Sequence, residues 1–261
     1  MSDYVCLVGL DEPEYSEIRE RLDVPVVAHE ILPEIKVVDG RLFVESYGRP
    51  KFVPVSKLIY HGIFDDDLDF ITGLAFWGGP CLPNPRGMMD CRLKLPCLVR
   101  ALEFTRFGGH RGYAAPGVTI FSESERVAKW GNWHCGENKI RFSDQFTAEF
   151  PSVIEDFLPG QAVRIVLIGD RFWQIRLEGD DWLKSIHHGD AALMEVDDEL
   201  LEDTRAVRAG FGLEIIANDY IVNDDGSKHL LEVNHIPNVT RFPELRAAYI
   251  DYVIDWLAAS N

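Results

Sequence analysis

The chain has 261 residues and a formal net charge of −17, from 43 acidic against 26 basic side chains, and 46% of its residues are hydrophobic. This length can bury a substantial core, and the composition is typical of a globular protein. The negative field repels polyanions, and the apolar stretches are only strand-sized. Both properties argue against nucleic acid and membrane as partners.

Five cysteines occur without a CxxC pair, and no basic region precedes an apolar stretch at the N-terminus. Free thiols in a reducing compartment fit this pattern better than a disulfide framework or a zinc site. We therefore expect a cytoplasmic protein.

The first third of the chain alternates strand and helix patterns, which predicts a small α/β unit. Asp39-Gly40 lies between two strand-like runs and predicts a hairpin. An amphipathic helix is then expected, with Leu95, Leu98 and Leu102 at helical spacing. The elements predicted here are strands over Tyr4–Leu10, Ile35–Val38, Arg41–Val44 and Lys57–His61, and helices over Pro13–Leu22, Asp66–Trp77 and Cys91–Phe107.

Short strands dominate from Gly117 onward, and Asp197–Phe211 is the clear helix before the last hairpin. An amphipathic helix over Phe242–Ala259 closes the chain. An α/β lobe followed by strand-rich sheets implies clefts, where ligands commonly bind. The strands predicted in this part are Val118–Phe121, Arg126–Trp130, Ser152–Phe157, Ala162–Gly169 and Phe172–Leu177.

The last predicted hairpin carries the most informative pattern. With Asp225-Gly226 at the centre of a two-residue type I′ turn, Asp219 falls opposite Glu232. Because side chains alternate along a strand, Glu232 and Asn234 share one face. Facing carboxylates favour a counter-cation, and a set of oxygen ligands suits Mg²⁺. The alternative is an acidic, solvent-facing hairpin that binds nothing, and a one-residue shift of the turn would break the pairing.

Three further segments have two interpretations each. The glycine-containing loop between Lys129 and Lys139 is either an anion cradle or a plain hairpin. The segment from Asn84 to Lys94 places polar groups at a helix N-terminus. These groups either bind phosphate or are simply solvated. Arg164 and Arg176 on successive strands are a phosphoryl clamp or surface charges.

In this order, the segments resemble the ATP-grasp superfamily, and within it carboxylate–amine ligases such as glutathione synthetase and the ribosomal-protein glutamate ligases. Glu232-Val-Asn234 after a hairpin is the most specific element, and the similarity runs from about Leu58 onward. The resemblance implies an α/β fold with α+β lobes: an ATP-grasp fold with a small N-terminal α/β pre-domain. The pre-domain would cover residues 1–88 and the ATP-grasp domain residues 89–261, with lobes at about 115–157 and 158–261.

The resemblance also implies roles for individual residues. Arg164 and Arg176 would be catalytic, facing the γ-phosphate and the acyl substrate. Asp219, Glu232 and Asn234 would hold one or two Mg²⁺, with Mn²⁺ as an alternative. The residues implied to contact ATP are Lys94, Lys129, Gly136, Lys139, Glu155, Phe157, Leu158 and Ser185.

The implied activity is an ATP- and Mg²⁺-dependent ligase that joins a carboxylate to an amine through an acyl phosphate. The substrate would be a small molecule or a peptide with a carboxylate and an amine. The resemblance is also compatible with a homo-oligomer. Two alternatives remain: a regulatory nucleotide-binding protein without ligase activity, and an ATP-dependent phosphotransferase. The chain departs from the family at Ala162, where an acidic residue is frequent, and at Ser185, where an asparagine is frequent.

Overall fold

The computed structural model describes residues 3–48, 50–131 and 138–259. The helices are α1 (Glu12–Glu20), α2 (Leu68–Trp77), α3 (Pro85–Arg92), α4 (Lys94–Ala101), α5 (Asp198–Phe211) and α6 (Pro243–Ala258). The strands are β1 (Tyr4–Val8), β2 (Val26–His29), β3 (Ile35–Val38), β4 (Arg41–Glu45), β5 (Phe52–Tyr60), β6 (Cys81–Leu82), β7 (Gly112–Ala114), β8 (Thr119–Trp130), β9 (Lys139–Thr147), β10 (Ser152–Asp156), β11 (Gln161–Ile168), β12 (Arg171–Arg176), β13 (Ala192–Met194), β14 (Ile215–Val222) and β15 (Lys228–Asn234).

The chain divides into two compact units, Met1–Met89 with Asn238–Asn261, and Asp90–Pro237. The domain boundary expected from the sequence, at residues 88 and 89, stays a prediction. Within the described ranges, no helix is both long and apolar enough to cross a bilayer.

The first unit is built on a mixed sheet in the order β2-β1-β5-β4-β3, with β6 beside β5. Strands β1, β2, β5 and β6 are parallel, whereas β3 and β4 form an antiparallel hairpin. In its turn, Asp39 and Gly40 have φ of 51° and 73°, and Val38 pairs with Arg41. The predicted two-residue hairpin is therefore confirmed, because Asp-Gly accepts the positive φ that this turn requires.

The helix predicted over Cys91–Phe107 is wrong, since two short helices, α3 and α4, meet at Leu93. Leu93 has φ −103° and ψ 135°, which is extended backbone. Pro96 explains the break: it has no N–H to donate to the Arg92 carbonyl, as a continuous helix would require. In the first turn of a new helix the missing N–H costs nothing, so α4 begins at Lys94 instead.

The second unit contains two antiparallel sheets. The first has the order β7-β10-β8-β9, and Ala128, Phe142 and Ile154 form its core. The two strands predicted over Val118–Phe121 and Arg126–Trp130 are one strand, β8, with an irregularity between Ser122 and Arg126.

The second sheet has the order β13-β12-β11-β14-β15. Helix α5 packs on β11 and β14 with Leu200, Val207 and Phe211 buried. The Thr204 hydroxyl is 2.9 Å from the hydroxyl of Tyr220, which places Tyr220 on the helix side of the sheet. Because side chains alternate along a strand, Asp219 belongs to the opposite face.

Candidate functional site

Arg164, Asp219 and Glu232 form a row across three neighbouring strands of the second sheet. Arg164 pairs with Asp219 between β11 and β14, and Asp219 pairs with Glu232 between β14 and β15. The Arg164 guanidinium donates from Nε to Asp219 Oδ1 at 2.6 Å and from Nη2 to Oδ2 at 2.8 Å. The predicted facing of Asp219 and Glu232 is therefore confirmed.

The turn that joins β14 to β15 differs from the predicted one. Asn223 donates its backbone N–H to the Ser227 carbonyl, which leaves three loop residues, and Gly226 has φ 83°. That register alone would place Asp219 opposite Leu231. A bulge between Asp219 and Tyr220 adds one residue to the partner strand and restores the Asp219–Glu232 pair.

Two lysines approach the Glu232 carboxylate. Lys94 Nζ is 3.5 Å from Oε1, and Lys139 Nζ is 3.9 Å from Oε2. Burial lowers the pKa of the Lys94 ammonium below its ordinary 10.5. Glu232 opposes this shift, whereas the positive charges of Lys139 and Lys129 add to it. A bound anion would stabilise the charged form of Lys94 and so offset the effects of burial and of the neighbouring positive charges.

Glu155 on β10 lies between two buried cations. Lys129 on β8 forms an ion pair with Glu155 Oε2, and Arg111 Nε is 3.0 Å from Oε1. The contact between Arg111 Nε and Glu155 Oε1 is electrostatic, because neither of these two atoms has a hydrogen-bond partner. Arg111 was not predicted from the sequence, where it is a single arginine in a glycine-rich segment.

Both cations also reach β15, the strand that carries Glu232. Arg111 Nη2 donates to the Leu230 carbonyl at 2.6 Å, and Lys129 Nζ donates to the Leu231 carbonyl at 3.3 Å. The two side chains therefore connect the four-stranded sheet to the strand edge beside Glu232.

Asn234 completes the predicted metal-ligand set. It pairs with Ala217, is almost fully buried, and its Nδ2 has no hydrogen-bond partner. Its position two residues after Glu232 puts both side chains on one face. Among the described residues no group of three His, Cys, Asp or Glu side chains could hold a metal. Two carboxylates and an amide nevertheless offer oxygen ligands, and these fit Mg²⁺ when phosphate and water complete its coordination.

The predicted hinge residues follow β10. The Phe157 backbone N–H donates to the Glu125 carbonyl at 3.0 Å, and its ring meets Trp182 edge to face at 6.2 Å. The Arg141 guanidinium lies 3.9 Å from the centre of the Phe157 ring. Leu158 is half-buried beside it.

Two of the predicted residues, Arg176 and Ser185, are not brought into this cluster. Arg176 pairs with Val163 and not with Arg164, so strand alternation puts it on the other face. It forms an ion pair with Glu178 at 2.9 Å and is 48% exposed. Ser185 Oγ accepts from the His187 N–H at 3.1 Å within its own loop. Gly136 lies outside the described residues.

The described part of the chain gathers cations in this cluster. Five of them form ion pairs with three carboxylates, although the chain as a whole has a net charge of −17. Such a concentration of cationic side chains is suited to a polyanionic ligand. The cations are Lys94, Arg111, Lys129, Lys139 and Arg164, and the carboxylates are Glu155, Asp219 and Glu232.

No family model matches the chain, and no curated protein matches it. Solved structures do match it, over nearly the whole length of both chains. D-alanyl-alanine synthetase A from Vibrio cholerae has a TM-score of 0.66 at 10% identity and covers 98% of this chain and 97% of its own. D-alanine–D-alanine ligase from Bacillus anthracis has a TM-score of 0.65 at 14% identity, with 98% and 96% covered.

A third similar structure is the macrocyclase MdnC from Microcystis aeruginosa, bound with precursor peptide MdnA. Its TM-score is 0.63 at 14% identity, and it covers 98% of this chain and 100% of its own. The matching structures include several described as ATP-grasp ligases. The predicted fold is thus confirmed: this chain has the ATP-grasp fold.

Proposed function

We propose that this protein is an ATP- and Mg²⁺-dependent ligase that joins a carboxylate to an amine through an acyl phosphate. The observation that supports it most directly is the cluster of five cations around three carboxylates. Phosphoryl transfer depends on positioning and charge stabilisation, which such a cluster supplies.

In the proposed arrangement, Lys94, Lys129 and Lys139 bind the phosphate oxygens of ATP. Asp219, Glu232 and Asn234 would hold Mg²⁺, which neutralises phosphate charge when bound. Arg164, held in place by Asp219, faces the γ-phosphate. Glu155, Phe157 and Leu158 hold adenine at the hinge, as the resemblance implies. The roles of Arg176, Ser185 and Gly136 stay predictions.

The reaction proceeds in two steps. A substrate carboxylate oxygen attacks the γ-phosphorus of ATP, the bond to the β,γ-bridging oxygen breaks, and ADP leaves with the electron pair. The amine of the second substrate then attacks the acyl carbon, phosphate leaves, and the nitrogen loses a proton to water. Arg164 and the lysines stabilise the negative charge that develops on the transferred phosphoryl group and on the tetrahedral oxygen.

The substrate is proposed to be an amino acid or a peptide. The matching structures support this class, because they include a D-alanine ligase and a macrocyclase bound with a precursor peptide. Cys6, Cys91 and Cys97 are buried free thiols, which supports the cytoplasmic setting expected from the sequence.

The test is ADP release with panels of amino acids and peptides, followed by mass spectrometry of the products. A ligase requires both a carboxylate and an amine and yields a condensation product with loss of water. A phosphorylated product without condensation would assign the protein to the phosphotransferases. Tight binding of ATP without turnover across the panels would assign it to the regulatory alternative.

A matched pair of variants tests the site itself. Glu232→Gln removes a charge at the candidate metal site while keeping the side-chain shape. Asp224→Asn removes a charge from the exposed turn of the same hairpin. We expect calorimetric titration to show Mg²⁺-dependent ATP binding in wild type and Asp224→Asn, and a loss of that dependence in Glu232→Gln.

A further inference from the structure

A cavity of about 450 Å³ lies within the second unit, between the start of α4 and the four-stranded sheet. Its walls are largely apolar. This volume falls in the range of small-molecule sites, which are typically apolar with a few polar groups that fix orientation. The wall residues that matter here are Leu95, Pro96, Tyr113, Trp130, Phe150 and Val153.

Two lysines line the cavity. Lys94 and Lys129 are both buried, and they form ion pairs with Glu232 and Glu155 respectively. The Lys94 ammonium lies 3.5 Å from Glu232 Oε1, so the lysine end of the cavity borders the candidate metal site. The N-terminus of α4 adds positive partial charge there, and Leu93 at its N-cap provides no side-chain acceptor.

The cavity is distinct from the hinge proposed for adenine. None of residues 155–158 lines it, although all four are described. Val153 marks its position on β10, where it pairs with Lys129. Phe157 lies four residues further along the chain, about 13 Å away on an extended strand. The cavity therefore borders the lysines proposed to bind phosphate, one of which pairs with Glu155, and it lies on the side of Glu155 away from Phe157.

We propose that this cavity binds the apolar side chain of the carboxylate substrate, an aromatic or branched aliphatic group, with the carboxylate at the lysine end. This inference rests on the proposed function and names the substrate class. It follows from charge complementarity at one end and apolar walls at the other. Tyr113 and Phe150 are 56% and 53% exposed at the cavity, and a bound aromatic group would cover them.

The first test uses three probes and ligand-observed NMR titration of the full chain. The probes are 3-phenylpropionate, butyrate and 3-phenylpropanamide. We expect 3-phenylpropionate to bind at least tenfold more tightly than either of the others, since each lacks one recognised feature. Equal affinity for 3-phenylpropionate and butyrate would overturn the apolar pocket. Equal affinity for the acid and the amide would overturn the placement of the carboxylate.

Variants then locate the binding. Leu95→Trp fills the cavity and should abolish the preference for the phenyl group, and Phe150→Ala removes one wall and should weaken it about fivefold or more. Phe121→Ala is the matched control, because Phe121 is an exposed aromatic on β8 that does not line the cavity. An unchanged preference in both cavity variants would overturn the proposal. Circular dichroism of each variant checks that it has folded.

Calorimetric titration of ATP with Mg²⁺ separates this inference from the proposed function. ATP binding without a phenyl preference would overturn the cavity assignment and leave the nucleotide site intact. A phenyl preference without ATP binding would overturn the proposed function, and with it the identification of the bound acid as a ligase substrate.

Discussion

Arg164 holds both carboxylate oxygens of Asp219 through two parallel hydrogen bonds of 2.6 and 2.8 Å. Only a guanidinium offers two donors in this fixed geometry, and the pairing orients the cation as well as attracting it. Because Asp219 also faces Glu232, the pair fixes one positive charge beside the candidate metal ligands.

Replacing Arg164 by lysine should therefore weaken ATP binding although the charge is kept. We expect a loss of about tenfold, equivalent to about 1.4 kcal/mol, because an ammonium cannot make the bidentate contact. Calorimetric titration of ATP with Mg²⁺ measures it. Arg205→Lys on the exposed side of α5 is the control, and an equal loss in both variants would contradict the role of the paired geometry.

Two substitutions of Glu232 should behave differently. Glu232→Gln keeps a hydrogen-bond acceptor beside Lys94, whereas Glu232→Ala leaves that buried ammonium without its carboxylate. We expect Glu232→Ala to lower the free energy of unfolding by about 1–3 kcal/mol more than Glu232→Gln does. Urea denaturation without nucleotide measures the difference. Equal stabilities would show that the Lys94–Glu232 contact contributes little to folding.

The sequence was sufficient to predict those elements whose conformation is determined by residues adjacent in the chain. Asp39-Gly40 predicted both its turn and the register of its strands, because the positive φ angles are confined to those two residues. The helix predicted over Cys91–Phe107 failed at an equally local feature, since Pro96 in an otherwise amphipathic pattern interrupts the helix.

Tertiary geometry accounts for what the sequence pattern missed. The Asp219–Glu232 pair was predicted from a two-residue turn, but a longer turn and a bulge produce it together. Arg111 meets Glu155 across a separation of 44 residues, and no spacing rule connects the two. Arg164 and Arg176 lie on successive strands, and the sequence predicted a shared role for them. Arg176 pairs with Val163 and not with Arg164, so the two arginine side chains lie on opposite faces of the sheet.

A buried network supports β14 on the face turned away from the site. Asp203 accepts hydrogen bonds from the Thr105 hydroxyl at 2.8 Å, the Arg106 N–H at 2.6 Å and the Tyr220 hydroxyl at 2.9 Å. Asp203→Ala would orphan three donors, and we expect a loss of about 3 kcal/mol in the free energy of unfolding.

Urea denaturation compares this variant with Glu202→Ala, which removes the exposed neighbour of Asp203 on α5. We expect Glu202→Ala to stay within about 0.5 kcal/mol of wild type. A comparable loss in both variants would mean that the helix itself, and not the network, determines the effect.

The lowered pKa of Lys94 predicts how ATP binding depends on pH. Burial and the charges of Lys139 and Lys129 favour loss of the Lys94 proton, against the opposing charge of Glu232. A bound phosphate favours the charged form, so ATP binding raises this pKa and takes up a proton wherever the free site has lost one. The affinity should therefore be highest below the lowered pKa and fall as the pH rises through it, at values below the ordinary 10.5.

Calorimetric titration of ATP between about pH 7 and pH 10 measures this dependence, because that range lies below the ordinary pKa of a lysine. Lys94→Arg is the matched variant, since a guanidinium stays charged throughout that range. The wild-type affinity should decline toward the alkaline end, and the decline should be much smaller in Lys94→Arg. Parallel profiles for the two proteins would assign the pH dependence to another group and remove Lys94 from the phosphate contacts.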